Sequence, residues 1–288
     1  EEALASCEAA LQNVQPRNEY EMAHRLNQHS VALLGLERYD EALIASERAI
    51  DVLPIYAPAY NSRAVALWQN GQISAARSSI QRATDLYQEQ SDRFEDSFYR
   101  PNTDPWPIFY RDYGLSLFNQ GGILATDPPP TAPAEVNPVV YAYGQAIVLP
   151  LQKLIQHSSD SNNSLPLTWQ QLSDLSNSDI SGELVTTVAA HVQSEDTLPV
   201  LSTQRFEDTL INLSAFHLSL NPNSDPWRAM EYSSVVIELN PESVAAWYNL
   251  GVARYQVNYD ITSIYNAYYV AHHLEPRGLT RGALDPGV

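Results

Sequence analysis

Apolar residues recur at intervals of three and four along most of this chain, and the recurrences are cut at regular distances by proline, glycine or asparagine. Between residues 18 and 36 the apolar positions are Met22, Leu26, Val31 and Leu33, and Tyr39-Asp40-Glu41-Ala42 restarts the pattern towards Ala49 and Pro54. The same spacing runs through Ala229, Val236 and Ile237, breaks at Asn240-Pro241, and resumes so that Trp247, Leu250 and Gly251 share one face. Such spacing places a stripe on one side of a helix, and the breaks are helix stop and start signals. No alternating run is bounded by hairpin turns, so strand is not expected. The pattern predicts an all-α fold of about 12 to 13 antiparallel helices.

Two features turn separate helices into a repeat. Ala42 and Ala76, Ala49 and Ala83, Leu213 and Trp247, and His217 and Gly251 are each 34 residues apart. Trp247-x-x-Leu250-Gly251 follows a proline, Pro241, that closes the preceding segment. In that motif and that period the chain resembles the tetratricopeptide repeat (TPR) family. The match departs where the family has a tyrosine, since Arg254 stands there with Tyr255 beside it. The resemblance implies a solenoid of antiparallel helix pairs, irregular in the middle, in which the first helix of each pair faces a concave groove. Gly251 would mark a close approach of two helices.

The organisation expected from this pattern has four parts. Residues 1–98 hold TPR-like repeats, the first incomplete, with Ala3, Cys7 and Ala10 on the inner face of a lone second helix and an overlong second helix running to about Phe98. Residues 99–200 form an irregular helical segment with a TPR-like first helix through Tyr110, Tyr113-Gly114, Leu117 and Gly121. A Pro-rich insertion at 122–137 follows, expected to loop out, then a helix kinked at Pro150, a polar linker at 158–166 and a degenerate repeat around Trp169 and Leu172. Residues 201–276 carry two more TPR-like repeats, and 277–288 is a frayed tail. The pattern opens on Glu1 inside a helix, without Met or an apolar leader, as expected of an excerpt or a processed chain whose targeting segment is out of view.

Charge narrows the partners. With 16 Lys and Arg against 34 Asp and Glu the net charge is −18, a field that repels phosphate backbones and anionic lipid, so nucleic acid is not an expected partner. No apolar run reaches the length of a membrane span, and no membrane insertion is expected. The lone Cys7 fits a reducing compartment such as the cytoplasm without requiring one.

Candidate chemistry is sparse. His272-His273 point about 100 degrees apart on a helix and lack a third ligand at helical spacing, His24 and His29 miss the i, i+4 geometry, and Asp92, Glu95 and Asp96 lack a loop of inward oxygens. No catalytic or phosphate-binding motif is present, so neither metal, cofactor nor catalytic residues are assigned. The resemblance implies instead a partner-binding groove. Its inward residues would be Asn27 and Gln28 in one repeat, Asn61 and Trp68 in the next, Arg111 and Phe118 in the third, and Tyr248, Asn249 and Tyr255 in the last. Val31, Val65, Gln69, Leu115 and Val252 extend these rows. Ser62 and Gln28 stand where a chaperone-tail clamp would need asparagines, and no lysine is there. The expected role is a scaffold or assembly factor holding a neutral or basic polypeptide segment. The alternatives are a metal-delivering factor that uses the acidic surface and an enzyme with its site in the irregular middle.

Overall fold

The computed structural model describes residues 1–13, 16–96, 106–126, 133–157, 185–186, 188–189, 201–220 and 224–274. Eleven helices and no strand occur among the described residues, and the chain divides into two compact units, Glu1–Asp127 and Pro128–Val288. The first unit contains α1 (Glu2–Asn13), α2 (Glu19–Gly35), α3 (Tyr39–Val52), α4 (Ala57–Gln69), α5 (Ile73–Asp96) and α6 (Trp106–Ala125). The second contains α7 (Pro133–His157), α8 (Thr203–Ser219), α9 (Pro226–Leu239), α10 (Val244–Gln256) and α11 (Ile261–Leu274). From α1 to α6 and from α8 to α11 consecutive helices pack as antiparallel neighbours, α7 touches α8, and first helices also lie beside first helices: α2 by α4, α4 by α6, and α8 by α10. This is the all-α, TPR-like stacking of helix pairs that the 34-residue period predicts.

Local signals set the boundaries. Asn18 caps α2 by accepting from the Glu21 backbone N–H at 2.8 Å, while the Glu21 carboxylate reaches back to the Arg17 N–H at 2.7 Å. The turn from first to second helix is built the same way three times. Glu37, Gly71 and Asn258 adopt positive φ (59, 72 and 53°), and the next N–H returns to the carbonyls of Leu33, Leu67 and Arg254. From second to first helix, Pro54 and Pro241 follow the last turn, and Tyr56 and Ser243 donate their N–H to the Leu53 and Asn240 carbonyls.

The inner faces are small. Ala23, Ala42, Ala49, Ala59, Ala64, Ala66, Ala76 and Ala83 are inaccessible or nearly so, with Leu26, Leu33, Leu67 and Ile80 filling the gaps between helices. Ser30 and Ser214 occupy matching places on α2 and α8, and their hydroxyls donate to the Ala42 and Ala229 carbonyls of the paired second helices at 2.7 and 3.0 Å. At Gly251 a Cβ would lie 2.9 Å from the Tyr268 ring of α11, so the expected close approach is real.

Several elements differ from expectation. In α1 the buried residue is Leu4, with Leu11 packed on the core below it, while Ala3 is exposed; the larger apolar side chains take the inner face and shift the register by one. The insertion placed at 122–137 is shorter, because α6 continues through Gly121 and Gly122 to Ala125 and α7 begins at Pro133. Proline is tolerated in the first turn of a helix, where its missing N–H would have no partner. Pro138 and Pro150 lie inside α7. The linker at 158–166, the repeat around Trp169 and Leu172, and the tail at 277–288 lie outside the described residues.

Two stability changes follow. Gly251→Leu is expected to cost about 1–3 kcal/mol by overpacking against Tyr268, with part of the loss recovered when Tyr268→Ala is added. Glu37→Gly is expected to raise stability by about 0.5–1 kcal/mol, because glycine removes the left-handed strain of about 1–2 kcal/mol but costs more chain entropy on folding. Chemical denaturation with the parent chain as reference checks both, and an unchanged midpoint for Gly251→Leu would contradict the helix register.

Candidate functional site

The first helices of each unit carry the residues expected to line a groove, and the structure separates those left exposed from those that hold the helices. Asn27, only 5% exposed, accepts from Ser62 Oγ at 2.8 Å, which bonds α2 to α4. The Asn61 side-chain oxygen accepts from the Asn119 amide of α6 at 3.0 Å. In the second unit Asn249 donates from α10 to the Ile211 carbonyl of α8 at 3.3 Å, and Gln256 donates to the Leu218 carbonyl at 3.3 Å. Each amide spans two neighbouring first helices. A row of amides expected to meet a partner is instead occupied in setting the lateral register.

Trp68 is also committed. Its indole N–H donates to Thr126 Oγ1 at 2.9 Å, and Thr126 in turn donates to the Gly122 carbonyl at 2.8 Å. Arg77 reinforces the same corner by donating to the Thr126 carbonyl at 3.0 Å. The end of α6 is therefore fastened to α4 and α5. Phe118 is half-buried on α6. Tyr248 packs edge-on against Tyr268 of α11, with centroids 5.7 Å apart.

The side chains that do face outward are fewer. Gln28 and Val31 are exposed on α2, Arg111 is exposed on α6 and pairs with Asp112 at 3.0 Å, and Tyr255 on α10 is 68% exposed. Among the described residues no three His, Cys, Asp or Glu side chains come together, and no described helix is long and apolar enough to cross a membrane.

The sequence reading missed a cluster at the N-terminal ends of the first helices. Tyr20 and His24 of α2 stack with centroids 6.5 Å apart, and Tyr20 meets Tyr56, which precedes α4, edge-on at 5.4 Å. The Tyr56 hydroxyl and His24 Nδ1 share a hydrogen bond of 2.9 Å. Behind them Tyr87 of α5 stacks on Tyr113 of α6 at 5.2 Å, and Ser91 and Tyr110 share a bond of 3.0 Å. Burial, and then the nearby Asp112 carboxylate, push the Tyr20 and Tyr87 phenols above their ordinary range; burial does the same at Tyr56, where Tyr20 and Asp112 add to it. These hydroxyls stay protonated and neutral near pH 7. Only the density of aromatics near residues 20, 56 and 110 hinted at this grouping.

Asn27→Ala should act on stability more than on binding. Losing the buried acceptor of Ser62 is expected to cost about 1–3 kcal/mol, whereas Gln28→Ala should stay within about 0.5 kcal/mol. Denaturant midpoints measured side by side check the contrast, and equal midpoints would contradict a structural role for Asn27.

No family model and no curated protein matches the chain. Among solved structures the chain is similar to YrrB, described as a TPR protein with an unusual peptide-binding site, at 12% sequence identity and a TM-score of 0.44. The similarity covers 88% of this chain and 87% of YrrB.

Proposed function

We propose that this chain is a protein-interaction scaffold that holds a polypeptide segment along the faces of its first helices and performs no catalysis of its own. The observation that carries the reading is the lateral bonding of first helices within each unit. α2, α4 and α6 are tied by Asn27–Ser62, Asn61–Asn119 and Trp68–Thr126, and α8 and α10 by Asn249–Ile211 and Gln256–Leu218. Helices fixed in register form a preorganised surface, and preorganisation lowers the ordering cost of binding an extended or helical peptide.

In this reading the residues divide by role. Asn27, Asn61, Trp68 and Asn249 hold the helices, while Gln28, Arg111, Phe118, Tyr248 and Tyr255 offer contact to the partner, with Tyr255 as the most exposed aromatic anchor among them. The net charge of −18 selects a neutral or basic segment and makes association slower at high salt.

The test starts from capture of the partner with the full chain as bait, followed by affinity measurement on the isolated pair. Gln28→Ala with Arg111→Ala in the first unit and Tyr248→Ala with Tyr255→Ala in the second are measured separately, and at least one pair is expected to weaken binding by about tenfold or more, in line with the weight a few anchors carry. Glu89→Ala combined with Asp92→Ala, on the exposed side of α5, should leave affinity within about twofold. The reverse result would move the site to the acidic face of the second helices.

A further inference from the structure

The aromatic cluster at the start of the first helices has a shape and charge that the scaffold reading does not use. Lateral bonds fix its level. Asn61–Asn119 and Trp68–Thr126 both pair residues 58 apart, so α4 and α6 run parallel in constant register, and Asn27–Ser62 pairs residues 35 apart between α2 and α4. Carried towards the N-terminal ends, these registers bring Tyr20, Tyr56 and Asp112 to within about one helical turn of one level. The ring contacts agree: Tyr20 packs on Tyr56, and Tyr56 bonds His24. Asp112 lies seven residues before Asn119, two turns along the same face of α6 that meets α4, and its charge adds to burial in raising the Tyr20 and Tyr56 phenols.

The exposures differ in a way that suits a guest. Tyr56 is 6% exposed and lies at the base, whereas Tyr20 is 61% exposed and offers a ring face and a hydroxyl edge. Asp112 is partly accessible. Arg111 Nε and Nη2 each meet the same Asp112 oxygen, Oδ1, at 3.0 Å, and among the described residues Oδ2 has no hydrogen bond. A carboxylate beside electron-rich rings is a cation site, since the ring face and the anion attract the same charge. The neutral phenols add acceptor lone pairs without adding repulsion.

We propose that Tyr20, Tyr56 and Asp112 form a cradle for the guanidinium of an arginine side chain on the bound polypeptide, an inference that rests on the scaffold reading above. The planar guanidinium stacks on the Tyr20 ring, and its edge donates to Asp112 Oδ2 and to the phenol oxygens. An ammonium satisfies the charge but has no plane to stack and no fork to divide between carboxylate and phenols. The overall negative charge of the chain draws such a segment in, and the cradle fixes where its arginine sits.

Short peptides synthesised in matched sets, with arginine, lysine or the neutral isostere citrulline at one position, test this against the full chain. The best arginine peptide is then titrated in solution. Citrulline in place of arginine is expected to weaken binding about tenfold, and lysine by a smaller but measurable factor. Asp112→Asn should weaken the arginine peptide similarly and abolish its advantage over citrulline. Tyr20→Phe should retain most of the affinity and Tyr20→Leu should lose it, with circular dichroism showing each variant folded. Equal binding of arginine and citrulline peptides, or an arginine advantage that survives Asp112→Asn, overturns the cradle and leaves the scaffold standing. Equal binding of lysine and arginine overturns the guanidinium assignment. Should no peptide of any set bind, the scaffold reading falls and the cradle with it.

Discussion

Close approach of neighbouring helices over alanine, serine and glycine is the constraint on which the rest of the structure depends. Ala42, Ala49, Ala76 and Ala83 are inaccessible, and each contributes no more than a methyl to the contact between helices. Ser30 and Ser214 satisfy their buried hydroxyls on the partner helix only because its carbonyls come within 3.0 Å. That spacing has a second effect. It brings consecutive first helices near enough for short amides to bridge them, so Asn27 reaches Ser62 and Asn61 reaches Asn119. A looser stack would leave both asparagines to water.

The lateral bonds act on register more than on stability. A buried hydrogen bond contributes about 0.5–1.5 kcal/mol net, but leaving the same groups unpaired costs about 1–3 kcal/mol. Sliding α2 past α4 by one turn would separate Asn27 from Ser62, and sliding α4 past α6 would separate two pairs together, Asn61–Asn119 and Trp68–Thr126. Apolar contacts between alanine-rich faces discriminate weakly between such registers, since one small side chain substitutes for another. Polar pairs discriminate strongly. The first helices are held at fixed heights by residues whose chemistry looks, in isolation, suited to ligand recognition.

This explains which parts of the molecule could be read from the sequence. The period, the turns at Gly71 and Pro241 and the close approach at Gly251 are legible because they depend on residues within one helix pair. Glu37 and Asn258 show that turn geometry can persist where glycine is absent, through the same return of the next N–H to a carbonyl five residues back. The roles of Asn27, Asn61 and Asn249 were not legible, because each is settled by a partner 35, 58 or 38 residues away. Trp68 is the clearest case. Its partner Thr126 lies in a stretch that looked like the start of a proline-rich loop, and only the continuation of α6 through Gly121-Gly122 brings it within reach. In α1 a choice between Ala3 and Leu4 was decided by size, which periodicity alone does not weigh.

The departure from the 34-residue period in the middle of the first unit has a structural consequence. α5 runs for 24 residues instead of the 14 of α3, and its added turns form the surface on which α6 begins early, through Tyr87–Tyr113, Gln88–Tyr113 and Ser91–Tyr110. A first helix of ordinary length in that register would start near residue 114, opposite the start of α4, and would present no residue before Gly114 to the ends of α2 and α4. The longer α6 carries Asp112 to the level of Tyr20 and Tyr56. A chain of charge −18 has many carboxylates, and those on exposed helix faces attract cations without selecting among them. A carboxylate set among aromatic rings is different, because partial desolvation strengthens its attraction and the rings restrict the shape of what it accepts. The extended α5–α6 pair is thus a deviation from regular repeat geometry that concentrates a diffuse acidic field at one shaped position.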